Sequence, residues 1–126
     1  MDEIGTQNSA TELMRESVLT MAVEAWRFGR VFDRLLGRLE PGDKNRYRNQ
    51  FNWFMKKVDD SLTQAGLRIV NVEGQVFDPG MAATPLNIEE FEVSEALVVD
   101  QMLEPIIMGD EGIVRTGTVM LRKAEA

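Results

Sequence analysis

Eight apolar side chains, Met14, Val18, Met21, Ala25, Phe28, Phe32, Leu35 and Leu39, follow one another at intervals of 4, 3, 4, 3, 4, 3 and 4 residues. A spacing that averages 3.5 and never slips places all eight along one stripe of an α-helix. A strand cannot present them together, because its successive side chains face opposite sides. Ala22, Gly29 and Leu36 widen the stripe on one flank, which suits a helical bundle better than a two-stranded coil. Ser9-Ala10-Thr11-Glu12 reads as a capping box at the helix start, with residues 1–9 left ahead of it as a flexible acidic tail. The stripe predicts a helix over residues 10–39, about 45 Å long at about 1.5 Å per residue.

Glu40-Pro41-Gly42-Asp43 interrupts that helix, and Asp43 is placed to cap the next one. A second stripe follows, formed by Tyr47, Phe51, Phe54, Val58, Leu62 and Ala65, and Gly66 supplies a left-handed stop. Residues 10–66 thus read as an antiparallel helical hairpin. Its first helix overhangs the second, with about 30 residues against about 22. Each stripe side chain gains about 1.5–3 kcal/mol on burial, so exposing half of one stripe would waste several kcal/mol. The expectation is a homodimer in which the eight stripe residues meet a second copy and the hairpins form a four-helix bundle. The alternative is a monomer whose C-terminal half covers the surplus. Trp26 and Trp53 lie off both stripes, and stand either at an interface or under neighbouring elements.

Composition narrows the chemistry. The chain has no cysteine, which excludes disulfides, thiolate metal sites and cysteine nucleophiles. It has no histidine, the commonest general base and metal ligand. No apolar run approaches the length of a membrane span, and the polar N-terminus resembles no leader, so a cytoplasmic protein is expected. Residues 1–40 carry net charge −2, residues 41–66 net +2 and residues 67–126 net −7. An acidic C-terminal half repels nucleic acid and is compatible with a basic protein partner. Glu89, Glu90, Glu92 and Glu95 form a short acidic run, read as a solvated edge rather than an acid/base pair, and no phosphate loop or nucleophile elbow is present. No enzymatic activity, metal or cofactor is expected.

After Gly66 the period changes. Leu67 to Val72 reads as a short strand, and Phe77-Asp78-Pro79-Gly80 as a turn in which Asp78 bonds forward to the backbone. Residues 85–91 are expected to be extended and residues 96–103 to form a buried strand. Pro105-Ile106-Ile107-Met108 leads into a hairpin loop at Gly109-Asp110-Glu111-Gly112, and residues 113–121 supply the last strand or pair of strands. The fold class is therefore α+β: a long-helix hairpin followed by a small, mostly antiparallel β-domain over residues 67–126.

The order of these pieces resembles the GrpE family, nucleotide exchange factors of DnaK-type chaperones. Two helices end in Gly66-Leu67. Gly74-Gln75-Val76-Phe77-Asp78-Pro79 matches the family's G-x-x-F-D-P element. Val114-Arg115-Thr116-Gly117-Thr118-Val119-Met120-Leu121 is similar to its closing strand. The resemblance spans roughly residues 25–123. The chain departs from the pattern after Phe-Asp-Pro, where Gly80-Met81-Ala82-Ala83 stands in place of a histidine. It departs again at Glu104-Pro105-Ile106-Ile107, and at Gly112, where a basic residue is common.

The resemblance implies a homodimeric co-chaperone whose β-domain packs into the nucleotide-binding domain of the chaperone, holds the cleft open and lets ADP leave. It implies a structural role for Phe77, Asp78 and Pro79, and makes Arg115 a brace within the β-domain. Leu103, Pro105, Ile106, Ile107 and Met108 are the expected partner-facing residues; Ile106 and Met108 read equally well as inward positions of a strand. The competing function is a dimeric adaptor, similar to a secretion chaperone, without exchange activity.

Overall fold

The computed structural model describes residues 2–125, residues 2–8 by their backbone alone. The chain is α+β and divides into two compact units, Met1–Leu62 and Thr63–Ala126. The first unit is an antiparallel helical hairpin of α1 (Asp2–Leu36) and α2 (Pro41–Gln64). Among the described residues no helix is long and apolar enough to cross a membrane.

The helix ends differ from the sequence expectation at three points. α1 begins at Asp2, ahead of Ser9. Serine and threonine are tolerated inside helices, and no proline precedes Pro41 to stop the run. α1 also ends at Leu36, because the N–H groups of Gly37, Arg38 and Leu39 close onto the carbonyls of Arg34, Leu35 and Leu36 at 3.2, 3.0 and 3.2 Å. These i→i+3 bonds tighten the chain into a turn, so Leu39 lies beyond the helix. Pro41 then occupies the first position of α2, where its missing N–H costs nothing. The Glu40 carbonyl accepts the first α2 bond, from the Lys44 N–H at 2.8 Å, and Asp43 sits inside the first turn rather than at the cap. There its charge still favours the positive end of the helix dipole.

Aromatic packing joins the two helices. The ring of Phe51 packs against that of Phe32 at a centroid distance of 5.7 Å. A β-carbon on the buried Gly29 would come within 3.2 Å of Phe51, so glycine sets the close approach here. Arg48 of α2 reaches Asp33 of α1 at 3.1 Å. Among the described residues, Leu19, Ala22, Val23, Trp26 and Leu36 are the large or aliphatic apolar residues that α1 buries.

The second unit holds two three-stranded sheets. One has the order β1-β4-β5, built from Leu67–Val70, Ile106–Gly109 and Gly112–Arg115, all antiparallel. The other has the order β2-β6-β3, built from Ala83–Pro85, Gly117–Lys123 and Leu97–Glu104. β3 and β6 are antiparallel and β2 joins β6 in parallel, so the second sheet is mixed. Residues 85–91 are not extended throughout: Ile88–Glu90 forms a single 3-10 turn, and the chain is extended again at Phe91. Asn87 explains the bend. Its amide donates to the Leu121 carbonyl and accepts the Leu121 N–H, both at 2.9 Å, so it replaces a strand partner beside β6.

β3 carries a bulge between Val99 and Gln101, opposite Leu121 and Met120. The extra residue, Asp100, shifts the alternation, so that Val99 and Met102 are both buried. Leu97, Val98, Ile106, Ile107, Val119 and Leu121 are buried with them, and no buried polar or charged residue occurs among the described residues.

Candidate partner-binding surfaces

No group of three or more acidic side chains is placed to hold a metal among the described residues. Within the acidic run Glu89, Glu90 and Glu92 are exposed, and Glu95 is half-buried. Glu95 accepts the Glu92 N–H at 2.9 Å through one carboxylate oxygen and meets Lys123 at 3.2 Å through the other. The Glu92 N–H, and after it Lys123, hold the Glu95 carboxyl below the usual carboxylate range. On α2, the hydrogen bond from Lys56 lowers Asp60, whereas partial burial raises its neighbour Asp59.

The segment that resembles G-x-x-F-D-P lies along the open edge of β3. The Gly74 N–H bonds to the Val99 carbonyl at 2.8 Å, the Val99 N–H to the Gln75 carbonyl at 2.9 Å and the Phe77 N–H to the Leu97 carbonyl at 2.8 Å. Gly74 starts this run at φ +84, a conformation that favours glycine. Asp78 then accepts the Gly80 N–H at 2.9 Å, closing the turn before Met81. Glu73 accepts the Met102 N–H at 2.8 Å farther along β3. Residues 73–78 thus close an edge that would otherwise pair with another chain.

The β4–β5 hairpin turns at Asp110-Glu111, with Gly109 opposite Gly112. Gly112 has φ +127, and the open backbone there is what the turn requires. The hairpin does not present the apolar cluster expected from the sequence. Pro105, Ile106 and Ile107 are buried, because Ile106 and Ile107 lie on the central strand, opposite Val70 and Ile69 of β1. Those three residues are core, not partner-facing. Met108 is half-buried, and Leu103 is 37% exposed. Ile113, which the sequence places only in the last strand or pair of strands, is 57% exposed on the edge strand β5. Arg115 is half-buried opposite Ile107.

The helical unit has a larger apolar surface. Met14, Met21 and Phe28 are 70, 72 and 65% exposed, Leu35 and Val18 are exposed, and Ala25, Phe32 and Leu39 are half-buried. The expected stripe therefore lies largely open on the single chain, while α1 buries a different set of residues. Tyr47 and Phe54 of α2 are also exposed. A groove of 360 Å³ runs between the helices, lined by Val18, Met21, Ala25, Phe54, Lys57 and Val58 among others. The tryptophans part company: Trp26 is buried, and Trp53 is 62% exposed with the Lys57 ammonium 5.3 Å from its ring.

A scan against protein-family models and searches of curated proteins and of solved structures find no match to this chain.

Proposed function

We propose that this chain is a GrpE-like co-chaperone, a homodimer that binds the nucleotide-binding domain of a DnaK-type chaperone in the cytoplasm and promotes ADP release. The observation that carries the reading is the ordered set of motifs: a helical hairpin ended at Gly66, the Gly74–Pro79 element, a hairpin and the Val114–Leu121 strand. Its mechanism is differential binding. The chaperone samples closed and open clefts, and a factor that prefers the open one shifts the population. Moving it from 1:99 to 99:1 takes about 5.5 kcal/mol of preference. A few apolar anchors on a surface can supply that. Leu103, Met108 and Ile113 are apolar anchors at the end of β3 and on the β4–β5 hairpin of the β unit, whose charge of −7 favours a basic counterpart.

The dimer reading rests on the open stripe of α1, with the groove and the exposed α2 side chains beside it. Two such faces brought together make a four-helix bundle and remove several large apolar side chains from water.

The burial of Pro105, Ile106 and Ile107 favours a second reading, a dimeric adaptor without exchange activity, because it removes three of the five expected contacts. Measuring ADP release from a DnaK-type chaperone with and without the chain separates the two. Faster release is expected. A folded dimer that leaves the rate unchanged with every DnaK-type chaperone tried would leave the adaptor reading.

A further inference from the structure

We infer that Glu24 of one copy and Lys57 of the other pair reciprocally across the helical interface and set its register. The inference rests on the proposed dimer and goes beyond it, because it names the charges that fix how the two hairpins meet.

A second copy is the occupant that fits this face. Ala10, Met14, Ser17, Met21, Glu24, Phe28, Val31 and Leu35 alternate at intervals of 4 and 3 residues, and every one of them is exposed. A strict seven-residue repeat suits a helix carrying the same repeat, which a second copy brings by identity. On α2 the exposed Tyr47, Phe54 and Ser61 are likewise seven residues apart. The α1 strip alone, about 39 Å long and about 10 Å wide, offers roughly 400 Å². That is about half of the ~800 Å² per partner of a stable interface. The adjoining groove and α2 stripe extend the face toward that size.

Only two charges interrupt it. Glu24 is the one charged member of the exposed α1 series, and Lys57 is the one charged side chain lining the groove. Within the chain each makes only loose contacts, and Lys57 also lies near enough to the exposed Asp60 to help lower its pKa. Glu24 lies 3.5 Å from Arg27, with both side chains more than half exposed, and Lys57 rests over Trp53. An exposed pair of this kind contributes little. A charge buried in an apolar interface without a partner would be costly, so a dimer on this face requires a counter-charge for each.

Height along the bundle supplies it. Gly29 faces Phe51 and Met55, so α1 and α2 run antiparallel with residue 29 level with about residue 53. Five residues back along α1, Glu24 is level with about residue 58, next to Lys57. A two-fold axis parallel to the helices keeps heights unchanged. It therefore places Glu24 of each copy level with the partner's Lys57, and the symmetry makes the contact twice.

The test is charge exchange followed by sedimentation or light scattering. Glu24→Lys alone and Lys57→Glu alone should each weaken the dimer about tenfold, because two attractions become repulsions. The double variant should recover unmodified affinity. So should an equimolar mixture of the two single variants, since both cross-copy contacts in that heterodimer join opposite charges. Both positions are exposed, and the circular dichroism should not change. If either reversal lost helicity, Glu24→Gln and Lys57→Gln would carry the same test with a smaller loss. A dimeric unmodified chain whose single variants associate equally well would overturn the pairing and leave the dimer standing. Recovery in the double variant but not in the mixture would also overturn it, because the pair would then lie within one chain. A monomeric unmodified chain would overturn dimer and pairing together.

Discussion

A β-carbon on Gly117 would lie 2.9 Å from the Glu104 carbonyl oxygen, 2.9 Å from Ile106 and 3.1 Å from the Ile106 amide nitrogen. Two of those three atoms are backbone, so the site cannot yield by turning a side chain. Gly117→Ala is expected to destabilise the β unit by about 1–3 kcal/mol, the usual cost of overpacking, read as a lower midpoint in urea unfolding. The same crowding shows why Ile106 is core: it is buried against a backbone crossing that leaves no room for a methyl group. Glycine and isoleucine at these positions serve one contact, and neither residue type announces it in sequence.

At the scale of elements, the β4–β5 hairpin is built by its turn as much as by its strands. Gly112 holds φ +127, a conformation that L side chains rarely adopt. Gly112→Arg would place at this position the charge common in the GrpE family. Its expected effect is nonetheless unfavourable: a loss of about 1–2 kcal/mol from backbone strain, together with faster amide exchange in residues 106–115. A variant as stable as the unmodified chain would show that the turn relaxes without glycine. The segment 73–78 is the other instructive element. It is no regular strand, yet its backbone bonds to β3 at three points, and Glu73 and Asp78 bond to the chain on either side of them. Its Gly74 and Asp78, with Pro79 just beyond, are turn-forming residues; of its two apolar side chains Phe77 is half-buried and Val76 is exposed.

For the whole molecule, association and exchange are separate questions with separate measurements. Light scattering at tens of micromolar, an order-of-magnitude concentration for ordinary affinities, is expected to give the mass of two chains. Met21→Glu with Phe28→Glu should give a folded single chain, since both positions are exposed on α1. Leu103→Asp with Ile113→Asp should slow chaperone ADP release while leaving helicity and mass unchanged. Release at the unmodified rate by that folded variant would remove the β4–β5 hairpin and the end of β3 from the partner surface. Substituting Ile106 would be uninformative, because a charge there disrupts the core.

Much of the architecture was legible because periodicity and turn chemistry act locally. The 3.5-residue stripes, a break just before Pro41, the stop at Gly66 and the hairpin at Gly109–Gly112 each follow from a few neighbouring residues. Three matters needed the tertiary structure. Which stripe of α1 faces inward depends on what packs on it: Leu19, Ala22, Val23 and Trp26 are buried, while Met14, Met21 and Phe28 are open. The fate of Pro105-Ile106-Ile107 depends on β4 becoming the central strand of its sheet, and an apolar run reads alike on a core strand and on a binding edge. The parallel contact of β2 with β6, and the Asn87 clasp that ends it, join residues more than thirty positions apart. Local sequence sets the conformation of each segment, but long-range contacts select its partner, and the partner decides which apolar residues water can reach.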